Sequence, residues 1–174
     1  MPELNPYQTV LEKHPEVLRL IGALSVEATN LDVALAKLLS AVLHIDHQYG
    51  RVVYLTPKSA YARLEILENS IKEATRKQSP IQKELLSYTK RARTLIGKRH
   101  EAMHFAWGVS RNEEAKVTVS NLPFSSDRGV ETKELGDLKR TISDLRVLIN
   151  EVWEKAEAMF EEWPPYTWPK ELVE

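Results

Sequence analysis

An all-α bundle of four main helices plus a short one is the fold class this chain predicts. Apolar residues recur at steps of three and four over four long stretches, the period of a helix face. Pro15, Pro57 and Pro80 each stand where a helix can begin. Only the stretch 106–120 alternates like a strand. At 174 residues the chain is long enough for one domain with a substantial core and short for two. The expectation is a single domain over 1–174, with its core over about 15–162 and a tail over 163–174.

The elements follow in order. Val17, Leu20, Leu24, Ala28, Leu31, Leu35, Leu38 and Val42 step along one face, so a long helix is expected over about 15–44. A short helix over about 46–55 follows, with Asp46 as its N-cap. Thr56-Pro57 restarts the chain, and Tyr61, Leu64, Ile66, Leu67 and Ile71 carry a helix to about 77. Ser79 as cap and Pro80 at the first helical position open another over about 80–106. Ala106–Ser110 and Lys116–Ser120 flank a polar turn and predict a small hairpin, and Asn121–Val130 reads as a loop. Leu135, Leu138, Ile142, Leu145, Ile149, Val152, Ala156, Met159 and Trp163 then mark the most regular helix, a seam that belongs against the other helices. The aromatic, proline-bound tail from Trp163 to Pro169 cannot continue it and is expected to staple back onto the bundle.

Composition is that of a soluble globular protein, with 43% hydrophobic and 28% charged residues. No apolar run approaches the roughly 20 residues of a membrane span, and the N-terminus has neither the basic start nor the apolar stretch of a signal peptide. There is no cysteine, so disulfides and thiolate zinc sites are excluded and a cytoplasmic location is expected. The net charge of −1 does not mark a nucleic-acid binder as a whole. Its distribution is uneven: residues 81–100 carry Lys83, Lys90, Arg91, Arg93, Lys98 and Arg99 against Glu84 alone, whereas 151–174 is acidic. The basic stretch leads into the most informative segment of the chain.

That segment is Arg99-His100-Glu101-Ala102-Met103-His104. His100 to His104 spells H-E-x-x-H, which places two imidazoles four apart on one helix face with a carboxylate beside them, as zinc peptidases do. The surroundings fit a zinc site poorly. No histidine follows His104, Trp107 stands where the extended motif has glycine, and Lys98-Arg99 put two cations next to the first imidazole. Glu113, Glu114 or Glu131 would have to supply the third ligand from a hairpin or loop. A zinc metallohydrolase is therefore the remote reading, and neither metal nor cofactor is called for.

Arg99, the polar His100 after it, and His104 five positions on resemble the nuclease motif of the HEPN family (higher eukaryotes and prokaryotes nucleotide-binding domains), which lies late in a long helix of an all-α bundle. The resemblance covers about residues 15–162, with a long first helix, shorter elements, the motif helix and a terminal helix. It implies an endoribonuclease that needs no metal and sets the ribose 2′-OH against the adjacent phosphate, in a toxin or phage-defence role. It implies His104 as general acid or base, Arg99 as phosphate ligand, and His100 as an orienting or proton-sharing partner. The products would be a 2′,3′-cyclic phosphate and a 5′-hydroxyl. The toxin branch paired with nucleotidyltransferase antitoxins carries a tyrosine two positions after the motif histidine. Ala106 stands there, which places this chain outside that regulated branch.

The residues add their own expectations. Lys98, Arg93 and Arg91 are placed to steer an RNA backbone, and Trp107 to stack on an unpaired base or anchor the hairpin. At about 100° per residue, Leu85, Ala92, Ile96 and Met103 share the core line, and Arg99 lies about 40° from it. A charge so placed needs a partner or a ligand. The bland alternative is a buried pair between Arg99 and Glu27 or Asp32 of the first helix, with His100 and His104 at the surface. Arg99 and His104 flank a cleft rather than touch along the helix, so a two-fold homodimer is expected to join two motif helices in one composite site. A non-catalytic dimeric scaffold or neutralising partner is the competing class, and an antitoxin or regulatory protein is a candidate partner beside RNA.

Overall fold

The structure is a computed structural model that describes residues 15–104, 106–109, 117–120 and 135–162, His104 and the 106–109 and 117–120 segments by backbone alone. The fold is all-α. Its helices are α1 (Pro15–Leu43), α2 (His47–Leu55), α3 (Ala60–Ala74), α4 (Pro80–His104) and α5 (Leu135–Glu162). Strands β1 (Ala106–Val109) and β2 (Val117–Ser120) pair antiparallel, with Trp107 opposite Val119. The expected loop at 121–130 and tail at 163–174 lie outside the described residues.

Helix α1 is the axis of the bundle. Val17, Leu20, Leu24, Leu31, Leu35, Leu38 and Val42 are buried as the stripe requires, whereas Ala28 is only half-buried. From Ala34 onward burial spreads around the helix to Ala36, Ser40 and Ala41. These small side chains let neighbouring helices close in on more than one side. The helix stops in a Schellman motif: Ile45 N–H donates to Ser40 O at 3.0 Å and His44 N–H to Ala41 O at 3.3 Å. His44 occupies the left-handed position at φ 53°, where glycine is usual.

The chain then turns by 118° into α2. Asp46 caps that helix, its carboxylate accepting Gln48 N–H at 2.7 Å. Helix α2 lies so close to α1 that a Cβ on Gly50 would overlap the Ser40 hydroxyl and sit 2.8 Å from Ser40 Cβ. The contact seats Tyr54, one turn further on, entirely inside the core. Pro57 has no N–H to continue the ladder of α2, which ends at Leu55, and α3 starts at Ala60 with Ser59 at its N-cap position. It ends at Ala74 rather than near 77, because Thr75 turns extended and gives both its N–H and its hydroxyl to Ile71 O.

At the head of α4, Ser79 Oγ accepts Gln82 N–H at 3.2 Å, and Gln82 Oε1 accepts Gln78 N–H at 2.8 Å. This is close to a capping box, with the glutamine reaching one residue further back than usual. It lets Gln82 be buried without an orphaned acceptor. Leu85, Ala92 and Ile96 are buried as expected, but Met103 is 39% exposed and Ala102 is buried instead. Near the helix end the covered face includes the line of Tyr88, Leu95 and Ala102, each seven residues on from the last. Of the expected α5 seam, Leu138, Ile142, Leu145, Val152, Ala156 and Met159 are buried, Leu135 and Ile149 are half-buried with Leu148 buried beside the latter, and Trp163 lies outside the described residues.

Ion pairs give the directions of the helices. Glu27 and Lys37 of α1 meet Arg146 and Glu157 of α5 in the same order, so these two helices run parallel. Glu84 and Arg91 of α4 meet Lys155 and Glu151 in reverse order, and Glu68 of α3 meets Arg93. Helix α4 thus runs against α5. The last turns of α4, the first half of α1, and the starts of α3 and α5 share one end of the bundle.

The α1–α2 contact is testable. Gly50→Ala overpacks it and should destabilise the fold by roughly 1–3 kcal/mol. Gly22→Ala has open space around its Cβ inside a helix, and should stabilise by up to about 1 kcal/mol. Urea titration of both variants checks the pair.

Candidate functional site

The sequence candidates all lie on or just after α4, and the structure divides them. Lys98 is exposed and lines a groove of about 290 Å³ between α4 and α5, with Arg91, Thr94, Leu95, Asp144 and Val147. Arg91 already has a partner, because its guanidinium grips both oxygens of Glu151. Arg93 also has one: its Nη2 donates to Glu68 Oε1 at 3.0 Å, and it lies 5.7 Å from the Tyr61 ring. Two of the three cations expected to steer RNA are therefore paired with acids contributed from other helices. His100 is exposed and Glu101 half-buried. The side chains of His104 and Trp107 lie outside the described residues, as do Glu113, Glu114 and Glu131. Among the described residues no three His, Asp or Glu side chains cluster as metal ligands would.

Arg99 is half-buried near the end of α4, as its place beside the core line requires. It makes no ion pair among the described residues. The two carboxylates expected as its partners are taken. Glu27 accepts from Arg146 Nε at 2.7 Å, and that bond outweighs burial to hold its carboxyl below the usual range. Asp32 accepts from Arg63 Nη2 at 2.9 Å. Arg99 nonetheless acts on Asp32: burial pushes this carboxyl up, and the Arg63 and Arg99 charges together oppose the rise.

Asp32 thereby reveals a buried polar cluster that the sequence reading missed. Arg63 and Asp32 expose only 17% and 20% of their side chains. Asp32 Oδ1, Arg63 Nε and the Tyr54 hydroxyl are buried without a hydrogen-bond partner among the described residues. Burial first, and the Asp32 charge second, push the Tyr54 phenol up, so it stays neutral. The cluster draws on α1, α2 and α3, and the charge of Arg99 in α4 acts on its carboxylate. Asp32 sits between the buried Leu31 and the half-buried Val33, and that setting for an acid was the available signal.

Compared with protein-family models, curated proteins and solved structures, the chain matches none. Any functional reading therefore rests on the residues themselves.

Removing Arg63 should expose the constraint on Asp32. Arg63→Met leaves a mostly buried carboxylate without its hydrogen-bonded partner, at a cost of at least about 2 kcal/mol. A carboxyl whose folded value is raised contributes most stability below its unfolded value, about 3.9, and loses it as pH rises through the folded value. Arg63→Met raises the folded value further. Its deficit in chemical denaturation should therefore widen from pH 4 to pH 7.

Proposed function

We propose that this chain is a metal-independent endoribonuclease of the HEPN type. It would be a helical bundle with a short hairpin after the motif helix, acting in a toxin or phage-defence setting as a two-fold homodimer. The observation that carries the reading is Arg99, a half-buried guanidinium without an ion-pair partner among the described residues, near the end of the motif helix. The two acids expected as its partners, Glu27 and Asp32, are hydrogen-bonded to Arg146 and Arg63, which leaves its guanidinium N–H groups for a ligand. A phosphodiester offers two non-bridging oxygens that the planar guanidinium fork can engage in a bidentate way.

In the reaction the ribose 2′-oxygen attacks phosphorus as a base takes its proton. The bond from phosphorus to the 5′-oxygen breaks, and that oxygen leaves with a proton. His104 serves as base or acid, a role for which histidine is the side chain whose ordinary pKa suits neutral pH. Arg99 holds the non-bridging oxygens as their charge grows. His100 orients the phosphate or shares the proton. Lys98, exposed beside the α4–α5 groove, extends the basic surface. Two protomers joined beside α4 would set Arg99 of one across the phosphate from His104 of the other.

A second reading, a non-catalytic dimeric scaffold or neutralising partner, draws on the ion pairs of Arg91 and Arg93. They remove charge that a strand-binding groove would otherwise present. Cleavage assays separate the two. Cleavage of single-stranded RNA by the ribonuclease should persist in EDTA and leave a 2′,3′-cyclic phosphate. His104→Ala should slow it by roughly 10²–10⁴-fold and Arg99→Ala by roughly 10²–10³-fold, with helicity unchanged. No cleavage by wild type supports the scaffold, whereas loss in EDTA restored by Zn²⁺ supports the H-E-x-x-H reading.

A further inference from the structure

We propose that Asp32 is the positioning residue for Arg99: Arg63 ties down one carboxylate oxygen, and the remaining charge holds the Arg99 guanidinium at the edge of the cluster, ready for one phosphodiester. The phosphate end of this proposal rests on the ribonuclease reading. The coupling of Asp32 to Arg99 does not.

The placement follows from helix geometry. Helices α1 and α4 meet where Ser25 Oγ lies 3.3 Å from Met103 Sδ. From there Asp32 is about 10.5 Å along α1 and Arg99 about 6 Å back along α4, at 1.5 Å per residue. The two helices run antiparallel, so both positions lie on the same side of that contact. Their axial offset is about 4.5 Å, within the reach of an arginine side chain. Asp32 cannot move to meet it, because its Oδ2 is bonded to Arg63 Nη2 at 2.9 Å. Oδ1 is buried and has no hydrogen-bond partner among the described residues.

The charges support the same conclusion. The groups acting on Asp32 are Arg63 of α3 and Arg99 of α4, and Tyr54 of α2 feels Asp32 in turn. Tyr54 is neutral, so one carboxylate stands against two guanidiniums. The cluster carries one net positive charge, the complement of one phosphodiester. Without Asp32, two cations would repel each other across the α3–α4 interface and Arg99 would swing to solvent. A charge held in place before substrate arrives needs little reorganisation on binding.

The test is carbon-detected NMR titration of the Asp32 carboxyl in the full chain. In Arg99→Gln its midpoint should rise, in Arg99→Lys return most of the way, and in Lys98→Gln stay at the wild-type value. Equal midpoints in wild type and Arg99→Gln would overturn the proposal. A second arm follows the Arg99 Nε–H resonance in Asp32→Asn and Asp32→Glu, with folding verified by circular dichroism. Solvent exchange should accelerate several-fold in Asp32→Asn and recover in Asp32→Glu, and unchanged exchange in folded Asp32→Asn also contradicts it. Cleavage of an unstructured oligoribonucleotide keeps the two claims apart. A coupled pair in a protein that cuts nothing overturns the ribonuclease reading alone. A wild type that cuts RNA with Asp32 and Arg99 uncoupled overturns the positioning role alone.

Discussion

A carboxylate inside a helical bundle must be compensated, and Asp32 sets that requirement on four helices at once. Burial disfavours its charge. Arg63 answers with a hydrogen-bonded pair, which fixes how α3 lies against α1. Tyr54 is carried into the same region by α2, whose approach depends on Gly50 against Ser40. Arg99 of α4 completes the surroundings without closing a pair. The apolar stripes hold the helices together, and the polar cluster determines which residues face one another at the motif end. An ion pair of this kind is a weak source of net stability. Its effect is to make alternative registers of α3 on α1 costly, since a shifted register would leave both charges buried and alone.

Much of the fold was legible because helical periodicity is a local signal. The burial of Leu24, Leu31, Leu35 and Leu38 on α1, and of Leu138, Ile142, Leu145, Val152, Ala156 and Met159 on α5, follows from spacing alone. So do Asp46 as a cap and Pro80 at the start of α4. The ends were less legible. Thr75 terminates α3 through two bonds to one carbonyl, and Gln82 caps across a left-handed Gln78. These choices depend on turn geometry that composition does not show.

The site was legible only in part, for a different reason. Arg99 and Asp32 could be put together from the helical wheel, because each is a charge near an apolar stripe. Arg63 as the rival partner could not, since nothing in the spacing of α1 and α3 gives their register. The basic stretch of α4 was overcounted in the same way. Within residues 81–100 Glu84 is the one acid, but Glu68 and Glu151 arrive from α3 and α5 and engage Arg93 and Arg91. A run of like charge on one helix is therefore a poor measure of the field it presents once packed. Near the helix end, Lys98 is exposed and Arg99 half-buried, and neither makes an ion pair among the described residues.

The central claim is that Arg99 is kept for a phosphate. Binding of a fully 2′-O-methylated single-stranded RNA, which cannot be cleaved, measures this across a salt series. Wild type should bind with a log–log salt slope steeper than that of Arg99→Gln by roughly 0.7 for each phosphate that Arg99 neutralises. Equal affinity and equal slope for the two proteins would contradict the claim, and Arg99 would then be a structural cation of the Asp32 cluster.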